Sequence, residues 1–183
     1  YFASAFNAIQ QLISEGLILA GHDISAGGMI TALLEMNFAN TEGGLEVKLD
    51  KLPEKDLIKI LFSENPGVLI QVKDRKAVEK ILEEAGVGYA VVGHPCSERH
   101  ILVSKDGAEY LFGIDHLRDV WFSSSYLLDR KQSGEAQAKA RFLNYKEQPL
   151  HYHFGKSFTG KMEQYGISAD RRKPSGIKAA IIR

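Results

Sequence analysis

The chain has 183 residues, of which 44% are apolar and 25% are charged, and these fractions are typical of a folded globular domain. The 23 Lys and Arg residues balance 23 Asp and Glu residues, so no net charge attracts nucleic acid or an anionic membrane. A single cysteine, Cys96, excludes an intramolecular disulfide and favours a reducing, cytoplasmic setting. Every apolar run is far shorter than the roughly 20 residues of a membrane-spanning helix.

Helices and strands are mixed from the first residues onward. Apolar residues at helical spacing predict a first helix, which ends at Gly16 as a left-handed cap. A short apolar run then predicts a buried strand, and a glycine-rich turn leads into a second, mostly buried helix that Ser25 caps. In chain order these predicted elements are a helix at 2–13, a strand at 17–20, a turn at 21–28, a helix at 29–38 and a strand at 45–49.

The middle of the chain continues the same mixture. Pro53 predicts the first turn of a short helix, and Asp74 predicts the cap of a later one. The strands predicted at 67–72 and 89–92 form a strand–helix–strand unit, and a hairpin with strands at 99–103 and 109–112 follows. A further helix is predicted to bury Leu117, Val120, Trp121 and Leu128. We therefore expect an α+β fold in which helices cover a mixed sheet.

The character of the sequence changes after about residue 130, so we assign one domain to residues 1–130. A helix is predicted at 135–143, but little periodicity follows, and so long a structureless stretch is unusual inside a compact domain. We therefore expect 131–176 to be an extended linker. The final residues, 177–183, predict the first strand of a further domain, which indicates an internal segment of a larger protein.

The segment His22–Gly28, between a predicted strand and a predicted helix, is the strongest candidate for chemistry. Gly27 and Gly28 leave the first backbone N–H groups of the helix uncovered, and a helix N-terminus favours negative charge. A phosphate suits this place, and the Asp23 carboxylate is the oxygen ligand that a phosphate-bound Mg²⁺ needs. The plainer interpretation is a capped turn with glycines for tight packing, because the pattern is neither a P-loop nor a dinucleotide-binding motif.

Three other groups of polar residues are weaker candidates. Glu64 and Asn65, just before a strand, predict either a site at the start of that strand or a polar turn. His151 and His153 share one face of an extended segment but have no third metal ligand nearby in the sequence. Cys96 lies in a predicted loop, without a helix N-terminus that would lower its thiol pKa, so a nucleophilic role is disfavoured.

The ordered motifs resemble one enzyme family. His22–Gly28, followed by Leu34-Glu35-Met36, resembles the His-Asp-x-Ser-Asp-Gly-Gly signature of the phosphoribosylformylglycinamidine synthase (FGAR amidotransferase) family. Leu61–Val72 resembles the second block of the family, in which Phe-x-Glu precedes Gly and Gln-Val. The segment 122–130 and the end of the chain are similar to the approach to the glutaminase domain of that family. The resemblance covers nearly the whole chain.

This resemblance implies part of a ligase that converts formylglycinamide ribonucleotide to the amidine with ATP and with ammonia from glutamine. The synthetase core of that family has two halves, each like aminoimidazole ribonucleotide (AIR) synthetase. The chain resembles the C-terminal domain of the second half, for which the resemblance implies a three-layer α/β/α fold, followed by the linker. The implied partners are the remaining synthetase domains and the glutaminase domain of the same enzyme, with neither nucleic acid nor membrane.

The resemblance also implies roles for single residues. Asp23 matches a family position that binds Mg²⁺ at a nucleotide site, and Ser25 matches one that touches the nucleotide, ATP or ADP. Gly27 and Gly28 join this set on the physical grounds given above. Ala26 stands where the family usually has an acidic residue, which leaves the role of that side chain open. No catalytic residue is assigned within the chain, and we expect the isolated chain to lack ligase and glutaminase activity.

Two alternatives stay open at this point. In the first, the chain is a scaffold domain of the same enzyme, which packs against the synthetase and glutaminase domains, and its glycine turn is only structural. In the second, it is a relative of the selenophosphate or AIR synthetases, which share the domain type. The predicted linker and the predicted strand at 177–183 argue against the second alternative.

Overall fold

The computed structural model describes residues 1–147 and 153–168, and contacts divide the chain into the compact units Tyr1–Lys146 and Glu147–Arg183. The first unit is a mixed α+β structure, which confirms the predicted fold class. Its helices are α1 (Phe2–Ser14), α2 (Gly28–Phe38), α3 (Leu57–Phe62), α4 (Arg75–Glu84), α5 (Ile114–Ser133) and α6 (Glu135–Leu143). Its strands are β1 (Ile18–Ile24), β2 (Gly44–Lys48), β3 (Gly67–Val72), β4 (Gly93–Cys96), β5 (His100–Lys105) and β6 (Ala108–Gly113).

Strands β1 and β3 form a two-stranded antiparallel ribbon with helices on both of its faces. Helices α1 and α4 bury Leu12 and Val78 in a cluster that includes Ile70 of β3. The neighbouring residue, Leu69, packs instead against the cluster to which α2 contributes. Because successive side chains of a strand point to opposite faces, α1 and α4 cover one face of the ribbon and α2 covers the other.

The second sheet has the strand order β4-β2-β5-β6. Strands β2 and β5 are parallel, whereas the two outer pairings are antiparallel, so the sheet is mixed. Alternate residues of its central strands, Val47, Ile101 and Val103, are fully buried in the same cluster as Met29 and Leu33 of α2. Helix α2 therefore packs in one core with residues of both sheets.

The C-terminal end of α2 is closed by a single side chain. The Arg99 guanidinium donates to the carbonyl oxygens of Asn37, Asn40 and Gly43 at 3.3, 2.7 and 3.1 Å. It also donates to the Asp115 carboxylate at 3.0 Å, and only 18% of the arginine side chain is exposed. Of these carbonyl groups, that of Asn37 lies in the last turn of α2, and those of Asn40 and Gly43 lie in the loop after it, so Arg99 ties the end of the helix to the loop that follows.

Several predicted element boundaries are wrong. Strand β1 continues to Ile24, so residues 21–24 form part of a strand and not of a turn. Helix α3 begins after Asp56, whose side chain accepts from the Ile58 and Lys59 amides, and not at Pro53. The strand predicted at 89–92 is absent from the described structure, and β4 begins at Gly93 and joins the other sheet. The strand–helix–strand unit predicted at 67–92 therefore does not form.

The predicted inner face of α5 is also wrong, since Val120, Trp121 and Leu128 are exposed. Helix α6 forms where a helix was predicted at 135–143, and Ala138 on it is buried. The predicted domain boundary at residue 130 falls inside α5, and the first compact unit continues to Lys146. The linker assignment of 131–176 stays a prediction, and the strand predicted at 177–183 lies outside the described residues.

The described residues of the second unit contain one short 3-10 helix, Met162–Tyr165. The Gln164 side chain accepts from the Thr159 amide at 2.9 Å and donates to the Ser157 carbonyl at 2.8 Å. The rings of Phe154 and Phe158 stack with their centroids 4.5 Å apart. Within the parts of the chain that the structure describes, no helix is both long enough and apolar enough to cross a membrane.

Candidate functional site at the β1–α2 turn

The end of β1 presents an exposed carboxylate beside the turn into α2. Asp23 lies opposite Val68 in the β1–β3 ribbon, and its side chain is 74% exposed. Its position is therefore set by a strand ladder, although the sequence predicted a turn here. Ser25 and Ala26 follow the strand and are exposed as well.

The turn itself depends on two glycines with left-handed backbone conformations. Gly27 is the N-cap of α2 with φ of 82°, and Gly28 has φ of 73°, a region that residues with a Cβ rarely adopt. Gly28 is buried against the end of α3, where an added Cβ would lie 2.6 Å from the Leu61 carbonyl oxygen and 2.7 Å from Phe62 Cα. Tight packing is thus one reason for the second glycine.

The predicted cap at Ser25 is wrong, because the N-cap of α2 is Gly27, which has no side chain that could accept a hydrogen bond from the helix. Ser25 contributes its backbone instead, since its carbonyl oxygen accepts from the Gly28 amide at 3.0 Å. Its hydroxyl belongs to an exposed residue beside Asp23. The assignment of Ser25 to nucleotide contact stays a prediction, as do those of Gly27 and Gly28.

Glu64, a candidate from the second motif, reaches this turn. Its Oε1 accepts a hydrogen bond from the Gly27 amide at 2.9 Å, across 37 positions of sequence. A carboxylate is favoured at a helix N-terminus, because the unpaired amide groups and the positive end of the helix dipole both lie there. The two sequence motifs therefore meet at one structural place, and both the Gly27 and the Gly28 amide have an acceptor within the chain.

His22 is a residue of this region to which the sequence assigned no role. Its Nδ1 lies 2.7 Å from the Asp23 carbonyl oxygen and 3.6 Å from Asp23 Oδ1. Its Nε2 lies 3.2 Å from Oε2 of Glu35 on α2. The side chains of His22 and Glu35 are 29% and 24% exposed. The only signal in the sequence is the place of both residues within the family-like motif, which does not show that they touch.

The donor set fits part of a magnesium site. Among the residues that the structure describes, no group of three or more His, Cys, Asp or Glu side chains is arranged to hold a metal ion. Mg²⁺ in nucleotide sites often takes only one or two protein carboxylates and completes its shell with water and phosphate oxygens. The exposed Asp23 carboxylate suits such a partial contribution.

The weaker candidates stay outside this site. Burial raises the pKa of the Cys96 thiol, which disfavours the thiolate form. His94 on β4 pairs with Glu46 on β2, at 3.5 Å between Nε2 and Oε2. His151 lies outside the described residues, and His153 does not lie in a strand.

Comparison with known proteins identifies the family. The model of the AIR synthase related protein, C-terminal domain, matches residues 4–104, which is more than half of the chain. The chain belongs to this family. The match covers the β1–α2 turn, Glu64 and the strands up to β5. It confirms the predicted resemblance to the C-terminal domain of an AIR-synthetase-like protein.

Among its relatives is human phosphoribosylformylglycinamidine synthase, which is 34% identical over 160 residues, or 84% of this chain and 11% of the human protein. The major tegument protein of Epstein-Barr virus is 34% identical over 116 residues, or 61% of this chain and 8% of the viral one. The chain is therefore similar both to phosphoribosylformylglycinamidine synthase and to a herpesvirus tegument protein. The chain spans about a tenth of the length of these relatives.

A solved structure supports the fold. Thermotoga maritima PurL complexed with ATP superimposes with a TM-score of 0.54 at 22% identity, over 63% of this chain and 21% of PurL. At this identity the comparison shows a shared fold. Together with the human relative, it makes the chain a domain of AIR synthase type that is related to phosphoribosylformylglycinamidine synthase.

Proposed function

We propose that the chain is part of an ATP-dependent ligase that converts formylglycinamide ribonucleotide and glutamine to formylglycinamidine ribonucleotide in purine biosynthesis. Within that enzyme it contributes one side of a Mg²⁺–nucleotide site. The partners are the remaining synthetase domains and the glutaminase domain of the same protein, in the cytoplasm. The observation that carries the proposal is the exposed Asp23 carboxylate beside the glycine turn, within a domain that is 34% identical to human phosphoribosylformylglycinamidine synthase.

Each residue of the turn has a distinct role in this proposal. Asp23 holds Mg²⁺, and the metal supplies positive charge that neutralises the nucleotide phosphates. The Ser25 hydroxyl contacts the nucleotide, and the backbone at Gly27 and Gly28 allows the phosphates to approach closely. The Gly27 amide already donates to the Glu64 carboxylate. The phosphate oxygens therefore contact the metal ion and the Ser25 hydroxyl in preference to that amide.

The same contact supports a second candidate function, a scaffold domain in which the turn is only structural. Glu64 satisfies the Gly27 amide and the Ser25 carbonyl satisfies the Gly28 amide, so the turn is complete without a ligand. In this case the domain contributes packing surface to the synthetase and glutaminase domains. The two candidates differ in what they require of the Asp23 side chain.

Amide NMR titration of this chain with Mg²⁺-ATP tests the first candidate. We expect shift changes concentrated on residues 22–30, which disappear in Asp23→Asn and when EDTA removes the metal. Glu109→Gln, which removes an exposed carboxylate on β6 of the other sheet, is the matched control and should leave the titration unchanged. Uniformly small shifts at millimolar ligand, equal in the wild type and Asp23→Asn, would contradict binding by this domain.

Assay of the whole enzyme separates the two candidates. Loss of a residue that only orients a metal ligand already lowers metal affinity or activity about 10–100-fold, so Asp23→Asn should lower kcat/KM at least about 100-fold. The scaffold function predicts full activity for the same folded variant. Circular dichroism of the variant checks that the fold is retained.

A further inference from the structure

We propose that His22 is a positioning residue for Asp23, and that it acts by joining β1 to α2 through Glu35. The effect of His22 on nucleotide binding rests on the proposed function. Its effect on the order of the turn does not, and can be measured without a ligand. The His22 ring lies between two acceptors, the Asp23 carbonyl oxygen at 2.7 Å and Glu35 Oε2 at 3.2 Å. A single side chain thus contacts both elements that flank the turn.

The strand ladder with β3 fixes the backbone at Asp23, and hydrogen bonds from the Gly27 and Gly28 amides hold the turn, but no side chain of the turn itself caps α2. The N-cap of α2 is a glycine without a side-chain cap, and two consecutive glycines have positive φ. Glycine has more accessible backbone conformations than any other residue, so the path from Asp23 to Gly28 is weakly restrained by its own sequence. Glu64 restrains the helix end of this path at the Gly27 amide, and His22 restrains the strand end.

The contact from His22 fixes the residue that matters for the metal. Nδ1 lies next to the carbonyl oxygen of Asp23. The ring therefore restrains the backbone from which the Asp23 side chain extends. Glu35 holds the ring from the other side, and both side chains are less than one-third exposed. In metal sites, the carboxylates that bind the ion are commonly oriented by residues that do not touch the metal themselves.

Two substitutions separate the contacts of the ring. The amide nitrogen of Asn lies near the position of Nδ1, and that of Gln lies near the position of Nε2. His22→Gln therefore keeps a donor toward Glu35, whereas His22→Asn keeps one toward the Asp23 carbonyl and loses the connection to α2. The proposal assigns the larger role to the contact with α2, so Gln should rescue what Asn does not.

The first measurement uses the ligand-free chain. Backbone ¹⁵N order parameters of residues 23–28 should fall in His22→Asn and in Glu35→Ala and stay near wild type in His22→Gln. The double variant His22→Asn/Glu35→Ala should show no further loss, because both changes remove the same contact. The matched control is His94→Asn, which breaks the His94–Glu46 pair in the other sheet and should leave the order of the turn unchanged. Wild-type order in all of these variants overturns the proposal.

The second measurement repeats the Mg²⁺-ATP titration with the same variants. Loss of a side chain that orients a metal ligand lowers metal affinity about 10–100-fold, so His22→Asn and Glu35→Ala should weaken binding by about tenfold. His22→Gln should bind within about twofold of wild type. If the turn loosens as expected but wild type binds no nucleotide, the proposed function fails and the positioning role of His22 stands. Equal binding by wild type and a variant with a loosened turn overturns the positioning role in binding.

Discussion

The two ends of helix α2 are built in opposite ways. At the C-terminal end, the Arg99 guanidinium donates to three carbonyl oxygens and one carboxylate, and most of its side chain is buried. At the N-terminal end, the cap is the glycine Gly27, the nearest carboxylate comes from the exposed Glu64, and Asp23 extends into solvent. The polar groups at the C-terminal end of α2 are hydrogen-bonded to a largely buried side chain, whereas the carboxylates of Asp23 and Glu64 at the N-terminal end are exposed. We call these the closed end and the open end of the helix.

This difference between the two ends indicates that the closed end contributes to the stability of the domain and that the open end is available for binding. A buried cation with several acceptors fixes the closed end, because leaving those carbonyl groups unpaired is costly. The open end retains exposed polar atoms that a ligand can reach. Substitutions at the closed end should therefore change the free energy of unfolding most, and substitutions at the open end should change it progressively less.

The largest effect is expected for Arg99→Ala. The variant loses the ion pair of a largely buried arginine together with its hydrogen bonds to three carbonyl groups, which costs about 3–5 kcal/mol. Urea unfolding followed by the fluorescence of Trp121, whose ring contacts Phe38 on α2 with centroids 5.9 Å apart, measures this loss. Arg75→Ala, which breaks the exposed pair with Glu79, should cost only about 0.3–0.5 kcal/mol. Equal costs for the two variants would remove the distinction between the ends of α2.

A comparable or smaller loss of stability is expected for Gly28→Ala. Alanine at positive φ costs about 1–2 kcal/mol, and the overlap of its Cβ with the Leu61 carbonyl adds about 1–3 kcal/mol. Gly86→Ala is the matched control, since Gly86 has φ of 64° but no atom within 4 Å of an added Cβ. The control should therefore lose only the backbone part. The difference between the two unfolding free energies measures how closely α3 packs on the turn.

The smallest effect is expected for Glu64→Ala. Loss of a side-chain acceptor at a helix N-terminus typically costs about 1 kcal/mol or less, and Glu64 is exposed. Glu64→Gln keeps an oxygen acceptor for the Gly27 amide and should lose less than the alanine variant. Hydrogen exchange of the Gly27 amide provides a local measurement and should accelerate more in Ala than in Gln. The same exchange rate in both variants and wild type would contradict the contact.

Local sequence patterns predicted much of this fold. The β5–β6 hairpin follows from the tight turn at Asp106-Gly107, and α4 follows from the Asp74 cap and a strong apolar stripe. The end of β1 was missed because Gly21, His22 and Asp23 lack the apolar alternation that marks a strand. Its pairing with β3, more than forty positions later, decides its conformation.

The sequence predicted which residues form the candidate site but not which of them contact one another. The motif indicated Asp23 and the glycines, because residue types that suit phosphate and Mg²⁺ are visible in a sequence. The contacts of Glu64 with Gly27 and of His22 with Glu35 join residues on different elements, and no local pattern encodes them. The apolar face of α5 was predicted to be buried but is exposed. Helical periodicity identifies an apolar face but does not show which other element, if any, covers it.

The Arg99 contacts also have a consequence for the order in which the domain folds. Their three carbonyl acceptors precede the arginine by 56 to 62 positions in the chain. Closing loops of this length costs conformational entropy that must be offset by many contacts made together, so such contacts form late. During synthesis, the last turn of α2 leaves the ribosome well before Arg99 does, and it should fray until β5 pairs with β2. A chaperone or protease that acts on the nascent chain would meet this helix with its C-terminal end still open.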